Sequence, residues 1–321
     1  MTLPASGAIS IDDIATEFGI TKANVSFSSL YRANGYTSGA VAANGIANIS
    51  SNFSISQSGQ IELGQFYNAQ KGFTYVANIS SDTANYVLSD VANTAGWDGI
   101  IPIDATVIID SSKFVYSTST STAAFRVKAS DTISGGSVSR VRLINNGVIS
   151  GKGGYGGPGS SGGEQGGPGL SAAGLSYPMD VNNLGTIAGG GGGGGGGQSG
   201  TGTDGGEGTA SYGAGGGGGG AGYSGGAGGG GTGGNFPGGT GASGSWNAGG
   251  GGGGGGSGNG VAAGSGGSGG SAGQDGSDGN AGNANLSNRN GPWGKGAGGS
   301  ASISSSNITW VNTGSRLGAV S

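Results

Sequence analysis

Hydrophobic and polar positions change their pattern twice along the 321 residues. In residues 1–70 apolar positions are sparse and follow a short motif: apolar, any, apolar, any, any, apolar. It appears as Ile9-Ser-Ile-Asp-Asp-Ile14 before Gly19, Val25-Ser-Phe-Ser-Ser-Leu30 before Gly35, and Ile61-Glu-Leu-Gly-Gln-Phe66 before Gly72. The first two apolar members alternate as in a strand, and the third follows at helical spacing. Each copy therefore predicts a short strand running into one or two helical turns. In the first copy, Ser10 with Asp13 three residues on predicts a capping box, and Gly19 predicts a helix stop. Units this small bury little, which predicts a docking module that completes its core against a partner.

Residues 71–150 read as a small β domain. Phe73–Ile79, Thr106–Ile109, Lys113–Tyr116, Ala124–Lys128 and Val138–Ile144 are rich in β-formers, and two of them alternate charge with hydrophobe as half-exposed strands do. A second motif, N-x-G-x-I-x-G, links this region to the rest. It occurs at Asn145–Gly151 and Asn183–Gly189, and more loosely at Asn312–Gly318, with Arg316 where Ile is expected. Asn and Gly suit a tight turn and Ile then packs inward, which predicts turns that launch strands or glycine rods in a repetitive β structure.

Beyond residue 150 the pattern disappears into glycine. The chain has 86 Gly, and nearly every second residue of 151–300 is one, against about 7% in ordinary domains. The runs are 151–169, 188–200, 213–234, 248–256, 264–273 and 291–299. Collagen is excluded, because Gly stands at consecutive positions and Pro is scarce. Composition alone leaves two readings open. One is a flexible linker. The other is a bundle of polyglycine helices in the polyproline II conformation, in which each N–H and C=O must be paired by a neighbouring rod. Ordering each backbone costs about 1–2 kcal/mol, and hydrogen bonds return about 0.5–1.5 kcal/mol each. A lone rod is therefore disordered, and only lateral packing can order it.

Charge and candidate chemistry narrow the function. Twelve Lys and Arg against sixteen Asp and Glu give −4 with no basic stripe, which argues against nucleic acid. Without Cys or His, thiolate metal sites and the commonest general base are absent, and no metal or cofactor is implied. Gly147–Lys152 is one residue short of a phosphate loop, and Gly153 stands where Ser or Thr belongs. Asp204, Glu207, Asp275 and Asp278 lack the nine-residue period of calcium-binding glycine repeats. Met1–Asp13 lacks a signal peptide's basic and apolar regions, and no apolar run is long enough to span a bilayer. Synthesis in a cytoplasm is expected. The aromatics interrupting the glycine runs, Tyr212, Tyr223, Phe236, Trp246 and Trp293, are candidate receptor-binding residues, since aromatics on loops of a rigid scaffold anchor recognition. The stretch 235–247, with Phe236 and Trp246, is the expected free end.

The order of these parts resembles tail fibres and tail-tip adhesins of tailed bacteriophages. The resemblance rests on Leu3–Ile11, Ser26–Tyr31 and Ser58–Tyr67, then on Ser117–Phe125 and Leu143–Gly154 at the entry to the glycine-rich part, and on Ile308–Gly314 at its close. It implies a mainly β and irregular fold in three parts: a virion or fibre attachment module at 1–70, a β-rich connector domain at 71–150, and a polyglycine II sandwich forming a receptor-binding tip at 151–321. It also implies a virion location at the fibre tip. The partners would be a tail or fibre-shaft protein bound through 1–70 and a host outer-membrane protein or surface glycan bound by the loops. The chain would either cap a separate fibre as a monomer or form a short homotrimer. Two other readings are a structural spacer or decoration protein, and a polysaccharide depolymerase on a β-helix. The last needs two well-placed carboxylates, and acids scattered in glycine are a poor frame for them, so no enzyme is expected.

Overall fold

The computed structural model of the chain describes residues 3–20, 30, 52, 54–56, 59–69, 71–127, 140–173, 175, 178–203, 209–303 and 305–321. Near the N-terminus the helix Ile11–Phe18 begins at the expected capping box. Ser10 accepts from the Asp13 backbone, and the Asp13 carboxylate accepts in return from the Ser10 N–H at 2.9 Å. It stops at Gly19 in the left-handed conformation. The expected strand before it does not form, because Ile11 already belongs to the helix. The third copy is a single turn, Leu63–Phe66. The second copy lies outside the described residues apart from Leu30. The module has a core of its own, with Leu3, Ile14, Phe18, Leu30, Ile55, Phe66 and Ala69 buried together.

From residue 73 the chain winds as a three-faced parallel β-solenoid. The first rung supplies Phe73–Ile79, Thr83–Ala84 and Tyr86–Val87, and the second supplies Ile103–Ile109, Phe114–Tyr116 and Phe125–Arg126. The third supplies Arg140–Asn145, Val148–Ser150 and Leu170–Ser171, and the fourth Met179–Asn183, Thr186–Ala188 and Ser302–Ile303. The fifth supplies Ile308–Asn312 and Ser315–Leu317, with Val320 bridging to Ser302. Pairing is parallel on all three faces. Inward residues such as Val107, Leu143, Val181, Val115, Ile149, Ile187, Phe125 and Leu170 stack into one core.

The N-x-G-x-I-x-G motif is the corner between the first and second faces. Asn145 and Asn183 are fully buried there, and Asn145 Nδ2 donates to Asn183 Oδ1 at 2.8 Å. Asn183 Nδ2 donates onward to the Thr313 carbonyl at 2.8 Å, so the buried amides satisfy one corner after another. In the last rung Arg316 is in register with Ile187, and its guanidinium lies 4.6 Å over the Trp310 ring. Among the described residues no rung packs beyond this one, and the cation stacked on an aromatic covers the end of the core.

The glycine-rich chain is inserted into this solenoid between its second and third faces. The composition changes at 150, but the sheets run across that boundary: Arg140–Asn145 pairs with Met179–Asn183, and that strand pairs with Ile308–Asn312. Residues 151–158 and 161–169 leave and re-enter the third rung. Residues 189–301 do the same in the fourth. They form ten rods: 151–158, 161–169, 189–197, 213–222, 225–233, 237–245, 248–256, 263–272, 274–282 and 291–300, numbered here 1 to 10.

Hydrogen bonds establish the rods as threefold helices. The N–H groups of Gly190, Gly193 and Gly196 donate to rod 2, those of Gly191, Gly194 and Gly197 to rod 4, and those of Gly192 and Gly195 to rod 9. Their carbonyls accept from rods 1, 8 and 10 at the same interval of three. Rod 3 thus has six neighbours, and so has rod 4, which bonds to rods 1, 3, 5, 6, 7 and 8. The other eight rods ring these two, so that the ten lie in layers of three, four and three. At about 3.1 Å per residue, rod 3 is roughly 28 Å long. The polyglycine II sandwich is therefore present. The six expected runs become ten rods because two runs fold back on themselves and two rods carry Gly chiefly at every third position.

Candidate functional site

Topology gives the bundle two unlike ends. Rods 1 and 3 continue directly from the strands Val148–Ser150 and Thr186–Ala188, and the Gly151 N–H bonds to the Ala188 carbonyl at 2.9 Å as the sheet becomes rods. Their starts are therefore proximal. The returning chain reverses at this end in tight turns around 223, 246 and 273. The opposite end is free: besides a tight turn at 159–160, the longer connections lie there, 198–212, 233–237, 257–262 and 282–291.

At the free end Ser199–Thr203 pairs antiparallel with Thr209–Tyr212 on one side and with Ser287–Asn290 on the other. This small sheet is built of Thr, Ser, Asn and Gly, and Ser287–Asn290 is exposed throughout. Arg289 fixes the connection before that strand, donating to the carbonyls of Leu286 at 2.7 Å and Asn283 at 3.0 Å. Under the sheet is a small apolar plug of Ala210, Tyr212, Val261, Ala263, Leu286 and Phe236. Tyr212 and Phe236 stack at 4.8 Å between centroids, and the Tyr212 hydroxyl donates to the Gly258 carbonyl at 3.2 Å.

The five aromatic candidates do not share one surface. Tyr212 is buried and Phe236 half-buried, both in the free-end plug. Trp293 is half-buried in rod 10, with its backbone N–H donating to the Gly196 carbonyl at 2.9 Å. Tyr223 and Trp246 stand in proximal turns against the solenoid. The Tyr223 ring stacks on Tyr116 at 4.0 Å and lies 4.9 Å from Phe114, and Trp246 meets Phe114 edge-on at 5.7 Å. The expectation that 235–247 is one free-end loop is corrected: it holds rod 6, so Phe236 and Trp246 lie at opposite ends of the bundle. Gly238, Gly241 and Gly244 are the cause, since a Cβ on any of them would meet a rod 4 carbonyl at 2.0–2.2 Å.

The junction also holds residues that sequence reasoning passed over. Phe114 and Tyr116 flank the inward Val115 and so point outward; their alternation was the available signal. Asp82 accepts from the Tyr223 hydroxyl at 2.8 Å and from the Phe114 N–H at 3.0 Å. Those two bonds, the hydroxyl first, hold its carboxyl below the usual carboxylate range, while the same bond raises the Tyr223 hydroxyl. Lys152 donates to the carbonyls of Ser224 and Gly225 at the same turn, and burial lowers its pKa. Asp275 and Asp278 clip rod 9 to rod 10, accepting from the N–H groups of Gly298 and Lys295, each at 2.9 Å. Among the described residues no group of three or more His, Cys, Asp or Glu is placed to hold a metal ion.

A stiff rod bundle seated on a solenoid, with its longer loops gathered at the free end, is a display scaffold. Residues 72–321 match the family model of the phage tail fibre adhesin Gp38, and the chain belongs to that family. It therefore belongs on a virion tail fibre, in a family of adhesins. Among solved structures, the gp37–gp38 adhesin tip complex of the bacteriophage S16 long tail fibre is similar. It shares 20% identity at a TM-score of 0.45, covering 82% of this chain and 87% of that one. A search of curated proteins finds no match.

Proposed function

We propose that this chain recognises the host cell at the tip of a tail fibre, with the free-end loops as the receptor-binding surface. The observation that carries this is the asymmetry of the bundle: every reversal facing the solenoid is a short turn, and the connections that contain strands all face away from it. A scaffold that needed only to reverse its rods would use short turns at both ends. The exposed polar strand Ser287–Asn290 is an open sheet edge, which suits pairing with the backbone of a surface protein. In this reading Tyr212 and Phe236 support the loops from beneath. Residues 1–70 hold the tip to another virion protein, consistent with their separate core and with a family match that begins only at 72.

The test places charge on the exposed free-end sheet of the full-length protein. Thr203→Arg with Asn290→Arg should lower host adsorption by about tenfold or more, a loss of about 1.4 kcal/mol, with the melting temperature unchanged. Adsorption equal to the parent's would overturn the reading in favour of a structural spacer.

A further inference from the structure

We infer that the junction between solenoid and bundle carries a second binding site, an aromatic shelf for a saccharide ring. Four rings from three separate segments line one side of the molecule. Phe114 and Tyr116 come from the second face of the solenoid, Tyr223 from one proximal turn and Trp246 from the next. Their contacts run in a row, Trp246 to Phe114 to Tyr223 to Tyr116, at 5.7, 4.9 and 4.0 Å. Tyr223 and Trp246 each keep 36% of their surface exposed.

As a simple fastening this patch has more than it needs. The third proximal turn, at 272–274, seats itself with Ala272, Gly273 and Gln274 and no ring, its Gly273 lying against the Leu317 backbone. Large aromatics left partly open in a turn of otherwise small residues mark a contact surface. The shelf is also held in place. Asp82 fixes Tyr223 through its hydroxyl and is itself fixed by the Phe114 N–H, so little ordering remains to be done on binding.

The chemistry selects the occupant. A pyranose presents a flat face of C–H groups, which suits the electron-rich face of an indole or phenol, and an equatorial rim of hydroxyls. Asp82 stands at the rim of the shelf. An ionised carboxylate has about four acceptor positions, and Asp82 uses two of them here. The remainder can accept saccharide hydroxyls as charge-assisted hydrogen bonds. Two residues past Tyr116, the exposed Thr118 and the half-buried Asn85 hydrogen-bond each other at 2.8 and 3.1 Å, adding a neutral hydroxyl and amide. A purely apolar partner would leave the carboxylate desolvated. Nucleic acid would meet it as a like charge. A neutral sugar satisfies both halves of the surface, and its place at the bundle's base is separate from the free-end loops.

The experiment is saturation-transfer NMR on the full-length protein with D-glucose, D-galactose, N-acetyl-D-glucosamine and L-rhamnose, each alone. At least one should bind in the millimolar range, about 1–10 mM. Trp246→Leu should weaken it about tenfold or more, and Tyr223→Phe, which keeps the ring but releases Asp82, by about threefold. Thr203→Arg with Asn290→Arg should leave it unchanged. If Trp246→Leu does not fold, Tyr223→Phe decides. No signal from any of the four sugars overturns the proposal, as does a signal undiminished by the folded shelf variants or lost with the free-end pair.

Discussion

Two glycines show what the rods ask of individual residues. A Cβ built on Gly193 would sit 1.9 Å from the Tyr155 carbonyl oxygen, whereas one built on Gly251 would meet nothing within 4 Å. Gly193 lies in a rod enclosed on six sides and Gly251 faces out from a peripheral one. Gly193→Ala must push two backbones apart, and should destabilise by at least the 1–3 kcal/mol of ordinary overpacking, about 2–4 °C per kcal/mol in a molecule of this size. Gly251→Ala should instead raise the melting temperature slightly, by restricting the unfolded chain worth about 0.4–1 kcal/mol. Thermal melts of the two variants side by side check both signs. The Tyr223–Asp82 bond gives a prediction in pH. Its carboxyl is lowered in the folded protein, so its stabilisation is present above the ordinary Asp value near 4 and fades as pH falls through the lower folded value. Tyr223 is raised, so the bond persists below about 10 and is lost as pH climbs through the raised value. Asp82→Asn should remove the acid part of this dependence, measured as junction amide protection between pH 2 and 6.

At the scale of elements, legibility follows the number of neighbours. Rods 3 and 4 are enclosed on six sides, so nearly every position must lack a Cβ, and Gly189–Gly197 could be read as a rod from the sequence. Rods 6 and 9 have open flanks and require Gly only where they face inward. Their Gly at 238, 241 and 244, and at 276, 279 and 282, spell a period of three that a search for glycine density overlooks. Missing them loses the parity of the path, and parity alone decides which turn is proximal and which is free. That is why Phe236 and Trp246 read from the sequence as members of one loop. The solenoid was half legible for a similar reason. Its corners announce themselves in N-x-G-x-I-x-G, but the second and third faces are strands of two or three residues, in which an alternation as short as Phe114-Val115-Tyr116 is a weak signal. Arg316 departs from the motif in the last described rung, where it is half-buried and stacks over Trp310.

The whole molecule joins two ways of holding a chain, a solenoid with an apolar core and a bundle with almost none. Among the described residues, the apolar clusters at the two bundle ends are small: the free-end plug, and Ala188, Ala221 and Ala272 together. What the bundle buries is peptide. Exposing apolar surface raises the heat capacity of unfolding and exposing polar surface lowers it, and ordinary domains average about 12–15 cal/mol/K per residue. The glycine-rich half should fall well below that range, and scanning calorimetry at several pH values, plotting unfolding enthalpy against melting temperature, measures it. A value per residue equal to that of ordinary domains would mean the bundle buries apolar surface not visible here. A small heat capacity flattens the curve of stability against temperature. An ordinary hydrophobic domain loses stability on both sides of its optimum, whereas a scaffold of hydrogen-bonded backbone should present its loops with nearly the same rigidity in cold water as in a warm host.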